Sequence, residues 1–322
     1  MLYFKHRMGD FMVFLQALQG LFSIVLMVSI GYYLTAKRYF TPENAGIIPV
    51  LVNYVAVPTY MIWNLLATFD KAKFIPLLSG IIVPALSMSI AFIIGYFLSN
   101  MMNLPIKHRG TFRSAFFCSS AIFVGLPVNM ALFGEESLPY VLIYFLANAT
   151  LFWTIGNYSI SLDGKSAPTK LVSIDSLKRI CSPPFISFAV AVVFILLEIK
   201  LPGFLMITLK YMGGMTTPLS MLFIGIALYG VKFSQLRLSR DIVALLAGRF
   251  IIAPLIVLLV VSFFPIPELM KKVFVIQSAL PAMTQTSVMA KVYGADTEYA
   301  ATLVSVTTIF ALLAIPVYMT LM

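Results

Sequence analysis

Two short stretches of this 322-residue chain combine neutral hydrogen-bonding side chains with residues that interrupt a helix. The first is Ser119-Ser120-Ala121-Ile122-Phe123-Val124-Gly125-Leu126-Pro127-Val128-Asn129. The second is Gln277-Ser278-Ala279-Leu280-Pro281-Ala282-Met283-Thr284-Gln285-Thr286-Ser287. Both lie inside apolar runs. Glycine costs a helix about 1 kcal/mol, and proline removes a donor and crowds the preceding turn. Backbone groups released in hydrocarbon must be buried in protein, line a wet cavity or bind a ligand. Neutral donors beside a half-helix N-terminus suit a carboxylate, whereas hydroxyl, amide and carbonyl oxygens suit a small hard cation. The anion reading selects Ser119, Ser120, Gly125, Pro127, Asn129, Gln277, Pro281 and Gln285, with Asn148 on the next helix. The cation reading makes Ser119, Asn148, Gln277, Gln285 and Thr286 candidate sodium ligands. Simple packing kinks are the alternative to both.

Arg249 joins this substrate-binding set as the one strongly ionisable residue placed deep in an apolar run. It stands nine residues after Arg240, about 13 Å along a helix. Four roles are open to it: counter-charge to an anion, fixed cation in place of a coupling ion, partner to carbonyls of a broken helix, or a side chain snorkelling to the interface. No Asp or Glu falls in the middle of a run, which argues against a carboxylate proton relay. Cys118, Cys181, His6 and His108 lack metal-ligand spacing, and no nucleophile–base constellation lies within a run, so neither an enzyme nor a cofactor beyond sodium is expected.

The elements that must position these residues follow from composition. Sixty-one per cent of the chain is apolar and 11% charged, against roughly 25% charged in soluble domains. Lipid must therefore cover most of the outside. The net charge of +10 sits between the apolar runs, as it does in loops facing an anionic leaflet, and nothing resembles a nucleic-acid surface. Ten stretches approach the roughly 20 residues that span a bilayer: 11–34, 44–67, 74–99, 111–133, 138–160, 178–198, 203–231, 240–264, 270–292 and 297–321. Alternate loops carry 13 Lys and Arg on one side against 8 on the other. The richer side is expected to be cytoplasmic, with both termini outside.

Five spans precede the segment 161–177 and five follow it, which forces the second half into inverted topology. An offset of 160 residues places Pro58 on Pro218, Phe133 on Tyr293, Gly134 on Gly294 and Glu136 on Asp296. The expected organisation is a first repeat at 1–160, a cytoplasmic linker at 161–177 and a second repeat at 178–322. Inverted repeats are the usual construction of secondary transporters, with the site near midplane at corresponding helix breaks.

Ala279-Leu280-Pro281 through Ala290-Lys291-Val292-Tyr293-Gly294-Ala295-Asp296 resembles the ninth helix of the auxin efflux carrier family. Gly125-Leu126-Pro127 resembles its fourth-helix motif, Tyr54-Val55-Ala56-Val57-Pro58 its second-helix ending, and Arg249 through Pro254 the basic-x4-Pro of helix 8. The similarity runs the length of the chain, and the short central linker is like that of bacterial members. The resemblance implies a fold shared with bile-acid sodium symporters, with a panel of helices 1, 2, 6 and 7. It also implies a core of helices 3–5 and 8–10, in which helices 4 and 9 cross, and organic-anion substrates such as malonate, malate or auxin. The family commonly has Asn seven residues before the helix-4 proline, tied in plant carriers to the substrate carboxylate; Ser120 stands there instead.

The expectation is thus an all-α polytopic membrane protein of ten helices, a 5+5 inverted repeat with broken helices 4 and 9. Its expected function is to carry a small mono- or dicarboxylate across an inner membrane by elevator-type alternating access. A sodium-coupled symporter of the bile-acid type and a non-transporting sensor are the alternatives. The anion and bilayer lipid are its expected partners, and a homodimer is left open.

Overall fold

The computed structural model describes residues 19, 22–41, 44–164, 181–230 and 239–321. The expected N-terminal start of the first span and most of the 161–177 linker lie outside them. The described chain is helical, and its β-type pairing is an isolated antiparallel bridge between Ser119 and Ala282. In chain order the helices are α1 (Phe22–Ala36), α2 (Ile47–Thr68), α3 (Ser79–Met101, entered directly from the helical Lys71–Leu78), α4 (Ile106–Phe117), α5 (Gly125–Phe133) and α6 (Glu135–Asp163). They continue as α7 (Pro183–Leu196), α8 (Gly203–Tyr229), α9 (Arg240–Val261), α10 (Glu268–Ser278), α11 (Gln285–Tyr293) and α12 (Thr297–Leu321).

Six of these are long and apolar enough to cross a membrane: α2, α3, α6, α8, α9 and α12. The sequence expectation was ten. The difference has a local cause. The fourth and ninth stretches are each two half-helices, α4/α5 and α10/α11, α7 is a shorter apolar helix of 14 residues, and the described helix of the first stretch is Phe22–Ala36. Large apolar side chains such as Phe22, Tyr211, Leu259 and Phe263 face outward, so the chain is a multi-pass membrane protein with lipid against them.

Prolines set several boundaries. Pro105, Pro202 and Pro267 precede the first residues of α4, α8 and α10, where a missing N–H costs nothing. Two prolines inside helices follow a widened π turn. Val52–Ala56 precedes Pro58 in α2, and Gly248–Ile252 precedes Pro254 in α9. The extra residue per turn makes room where the ring would strike the carbonyl four residues back. In α9 that carbonyl belongs to Phe250, and the Tyr318 hydroxyl of α12 donates to it.

Packing divides the helices into two sets. In one, α2 lies against α7 and α8, and α1 lies against α8. The α1–α8 seam is backbone on backbone. A Cβ at Gly31 would stand 2.3 Å from the Leu222 carbonyl oxygen, and one at Gly225 would stand 2.1 Å from that of Val28. In the other set, α4 packs on α3 and the end of α6, α9 on α3, α10 on α6, and α11 on α12. Asp163, which the sequence assigns to the linker, is the last residue of α6 and buried. Its carboxylate accepts the N–H groups of Gly110 (2.7 Å) and Thr111 (2.6 Å) and the Thr111 hydroxyl (2.8 Å).

Candidate functional site

The helix breaks span residues 118–124 and 279–284, and they cross. Gly125 and Pro127 do not form the first break, as the sequence motif suggests. They open α5, where proline is tolerated because first-turn N–H groups have no intrahelical partner. At the crossing, the Ser120 N–H donates to the Pro281 carbonyl at 2.9 Å.

Every polar backbone group here must find a partner, since each one left unpaired costs about 1–3 kcal/mol. The structure supplies named side chains. Asn148 of α6 accepts the Ser119 N–H through Oδ1 and donates to the Ser119 carbonyl through Nδ2, both at 2.9 Å. Gln277 Nε2 donates to the Ala121 carbonyl at 3.3 Å, and the Thr307 hydroxyl of α12 accepts the Ala282 N–H at 3.1 Å. Arg249 takes the carbonyls. Its Nε and Nη2 donate to Leu280 O at 3.1 and 2.7 Å, Nη2 also to Ser278 O at 3.1 Å, and Nη1 to Phe116 O at 3.2 Å. The π turn of α9 carries Arg249 inward. Gly248 lets that turn seat against α4, because a Cβ there would lie 2.0 Å from the Phe116 ring.

A cavity of about 190 Å³ opens beside the crossing. The crossing side contributes Ser120 to Phe123 and Met283 to Gln285. Phe145, Asn148 and Trp153 come from α6, Asn53 and Tyr54 from the π turn of α2, and Ser182 to Pro184 from the start of α7. Among the described residues, no charged side chain lines it. It therefore offers hydroxyl, amide and aromatic surface between the two helix sets, a chemistry suited to an amphipathic organic molecule.

Comparison with known proteins bears on the same elements. The profile of a family described as membrane transport protein matches residues 16–319, which include both breaks. The chain belongs to this family. It is the family of the auxin efflux carriers, as the motifs of helices 4 and 9 imply. An uncharacterized transporter of Methanocaldococcus jannaschii is 24% identical over 299 residues, covering 92% of this chain and 95% of that protein. An uncharacterized transporter of Methanothermobacter thermautotrophicus is 25% identical over 317 residues, covering 95% of this chain and 99% of its own. A membrane transporter is thus what the family and both relatives have in common.

Within this membrane transport protein, the residues singled out from sequence fall in four places. Ser120, Asn148 and Gln285 line the cavity. Ser119, Pro281 and Gln277 build the crossing behind it. Gly125, Asn129 and Thr286 lie in the first turns of α5 and α11; Asn129 Nδ2 donates to the Gly125 carbonyl at 2.7 Å, and all three are buried. The guanidinium of Arg249 is fully buried and directed at carbonyls, so it does not line the cavity. The half-helix N–H groups expected to meet a carboxylate are partly engaged: Gly125 donates to Ser120 O, Leu126 to Ile122 O and Thr286 to Met283 O. Sequence reasoning missed Tyr54, Phe123, Phe145 and Trp153, because an aromatic residue in an apolar helix carries no local mark of a cavity wall.

Proposed function

We propose that this member of the family is a secondary carrier of a small organic anion, held in the cavity against the crossed breaks. The observation that carries the reading is the composition of the cavity walls. One wall is α2 and α7 and the other is the crossing, so sliding one helix set past the other changes the face to which the cavity opens. That is elevator-type alternating access, with α1, α2, α7 and α8 as the panel and α3–α6 with α9–α12 as the moving core.

A ten-helix inverted repeat accommodates the same facts. The broken helices have matched parts, 12 and 11 residues before the break and 9 and 9 after it. The second halves both end at a glycine with positive φ, Gly134 at 71° and Gly294 at 67°. The repeat boundaries are taken at 160 and 178, on either side of a cytoplasmic linker. Both termini are assigned to the outside of an inner membrane on the Lys and Arg distribution.

The test is counterflow in liposomes loaded with labelled mono- or dicarboxylates. Saturable uptake that accelerates with the same acid inside is the expected result, and Gln285→Ala should raise the half-saturating concentration about tenfold through one lost donor. Its unfolding temperature should stay that of the parent. Binding without counterflow would move the reading to a sensor, and flux that never saturates would move it to a channel.

A further inference from the structure

We propose that Arg249 is a resident cation at the crossing, standing where a mobile cation would otherwise be required, and that it sets the site to accept one negative charge without sodium. The part concerning substrate charge rests on the carrier reading above; the part concerning sodium rests on the crossing alone.

Four helix ends meet at the breaks: the C-termini of α4 and α10, and the N-termini of α5 and α11. Aligned peptide dipoles give each C-terminus about −0.5 of a charge and each N-terminus about +0.5. Without further groups the ends cancel, and the site has no preference for either sign. The two negative ends also present carbonyl oxygens, the ligands that hard cations use. Arg249 occupies that position. All four of its hydrogen bonds go to carbonyls, spread over the end of α4 (Phe116), the end of α10 (Ser278) and the second break (Leu280). A guanidinium is permanently charged, and its fork of donors suits three oxygens as a small ion would.

No carboxylate is hydrogen-bonded or ion-paired to it among the described residues. Its charge is thus balanced by the two helix C-termini. What remains is the pair of N-termini, together about one positive charge, beside the cavity lined by Ser120 and Gln285. A monocarboxylate matches that charge. A dicarboxylate would bring a second negative charge into a cavity whose walls, among the described residues, carry no Lys or Arg, and burying an unpaired charge is strongly unfavourable.

The intact protein supplies the first test. Unfolding is followed by labelling of buried Cys118 in a Cys181→Ser background, in equal concentrations of sodium, potassium and choline chloride. Superimposable curves are expected, and a stabilisation specific to sodium overturns the proposal. Competition on the same protein should show monocarboxylates effective at concentrations about tenfold lower than dicarboxylates of equal chain length. Equal or better competition by dicarboxylates overturns the assignment of charge. If no carboxylate competes, the carrier reading fails, and the sodium comparison still decides the role of Arg249. Arg249→Lys should keep sodium-independent stability. Arg249→Ala should lose stability and regain part of it in millimolar methylguanidinium; rescue by sodium and not by methylguanidinium would mark the position as an ordinary cation site. Should Arg249→Ala not fold, the parent and the lysine variant carry the decision.

Discussion

The two breaks solve the same problem with opposite chemistry. The first contains Ser119 and Ser120, which keep both backbone N–H and C=O. Its principal support is an amide, Asn148, which donates and accepts at Ser119. The second contains Pro281, which has no N–H, so carbonyls outnumber donors there. Its principal support is Arg249, which only donates. The donor balance of each break therefore matches the side chain that serves it: an amide that gives and takes at the first, a guanidinium that only gives at the second.

The largest effect expected from breaking this contrast is at the second break. Arg249→Met fills similar volume but leaves three carbonyls unpaired, and should cost at least about 3 kcal/mol, read as early labelling of Cys118 on heating. At the first break, Asn148→Leu removes partners from one N–H and one carbonyl and should cost about 2–3 kcal/mol in the same assay. Asn148→Asp should fall between parent and Leu at acidic pH, where a protonated carboxyl can both donate and accept. A variant at the first break that proved as damaging as Arg249→Met would remove the distinction between amide and guanidinium support.

Gly248→Ala sharpens the comparison without replacing a hydrogen-bonding side chain. The added methyl meets the Phe116 ring and should move α9, and Arg249 with it, off the carbonyls at a cost of about 1–2 kcal/mol. Suppression by Phe116→Leu is the check.

The smallest effect is a control remote from the crossing. Asp296, between α11 and α12, contacts Lys107 at 2.9 Å and His108 at 3.0 Å at the start of α4. Hydrogen bonds from His108 and Lys107 hold its carboxyl well below the usual carboxylate range. A depressed pKa contributes stability that is complete above the unfolded value near 4 and fades as pH falls toward the lowered one. Asp296→Asn should therefore cost under about 1 kcal/mol at neutral pH, and its gap from the parent should close on acidification below pH ~4. The Asn148 and Arg249 variants should show no such closing through this pair.

What the sequence revealed follows the range of each interaction. The apolar stretches and the existence of two breaks were readable, because hydropathy and the chemistry of proline act within a few residues. The exact seat of the first break was not: proline tolerates a first turn, so Gly125 and Pro127 begin α5. Arg249 was legible as unusual, with carbonyl binding among its four open roles. Its particular partners lie 31 residues away at Leu280 and 133 away at Phe116, beyond any local pattern. Asp163 fell within the expected linker at 161–177, and only the packing of α6 on α4 shows it buried against Gly110 and Thr111. Trp153 and Tyr54 became cavity walls through tertiary placement alone.

The glycine seam between α1 and α8 has a practical use. With backbones in contact at Gly31 and Gly225, the two helices cannot come nearer without overlap. Spin labels at Ile30 and Tyr229, both exposed on these helices, should therefore report one narrow distance under every condition. That pair is a length standard written into the molecule. Distances from it to labels on α5 or α11 convert directly into displacement, and broadening of the standard itself flags a damaged preparation before any transport signal is interpreted.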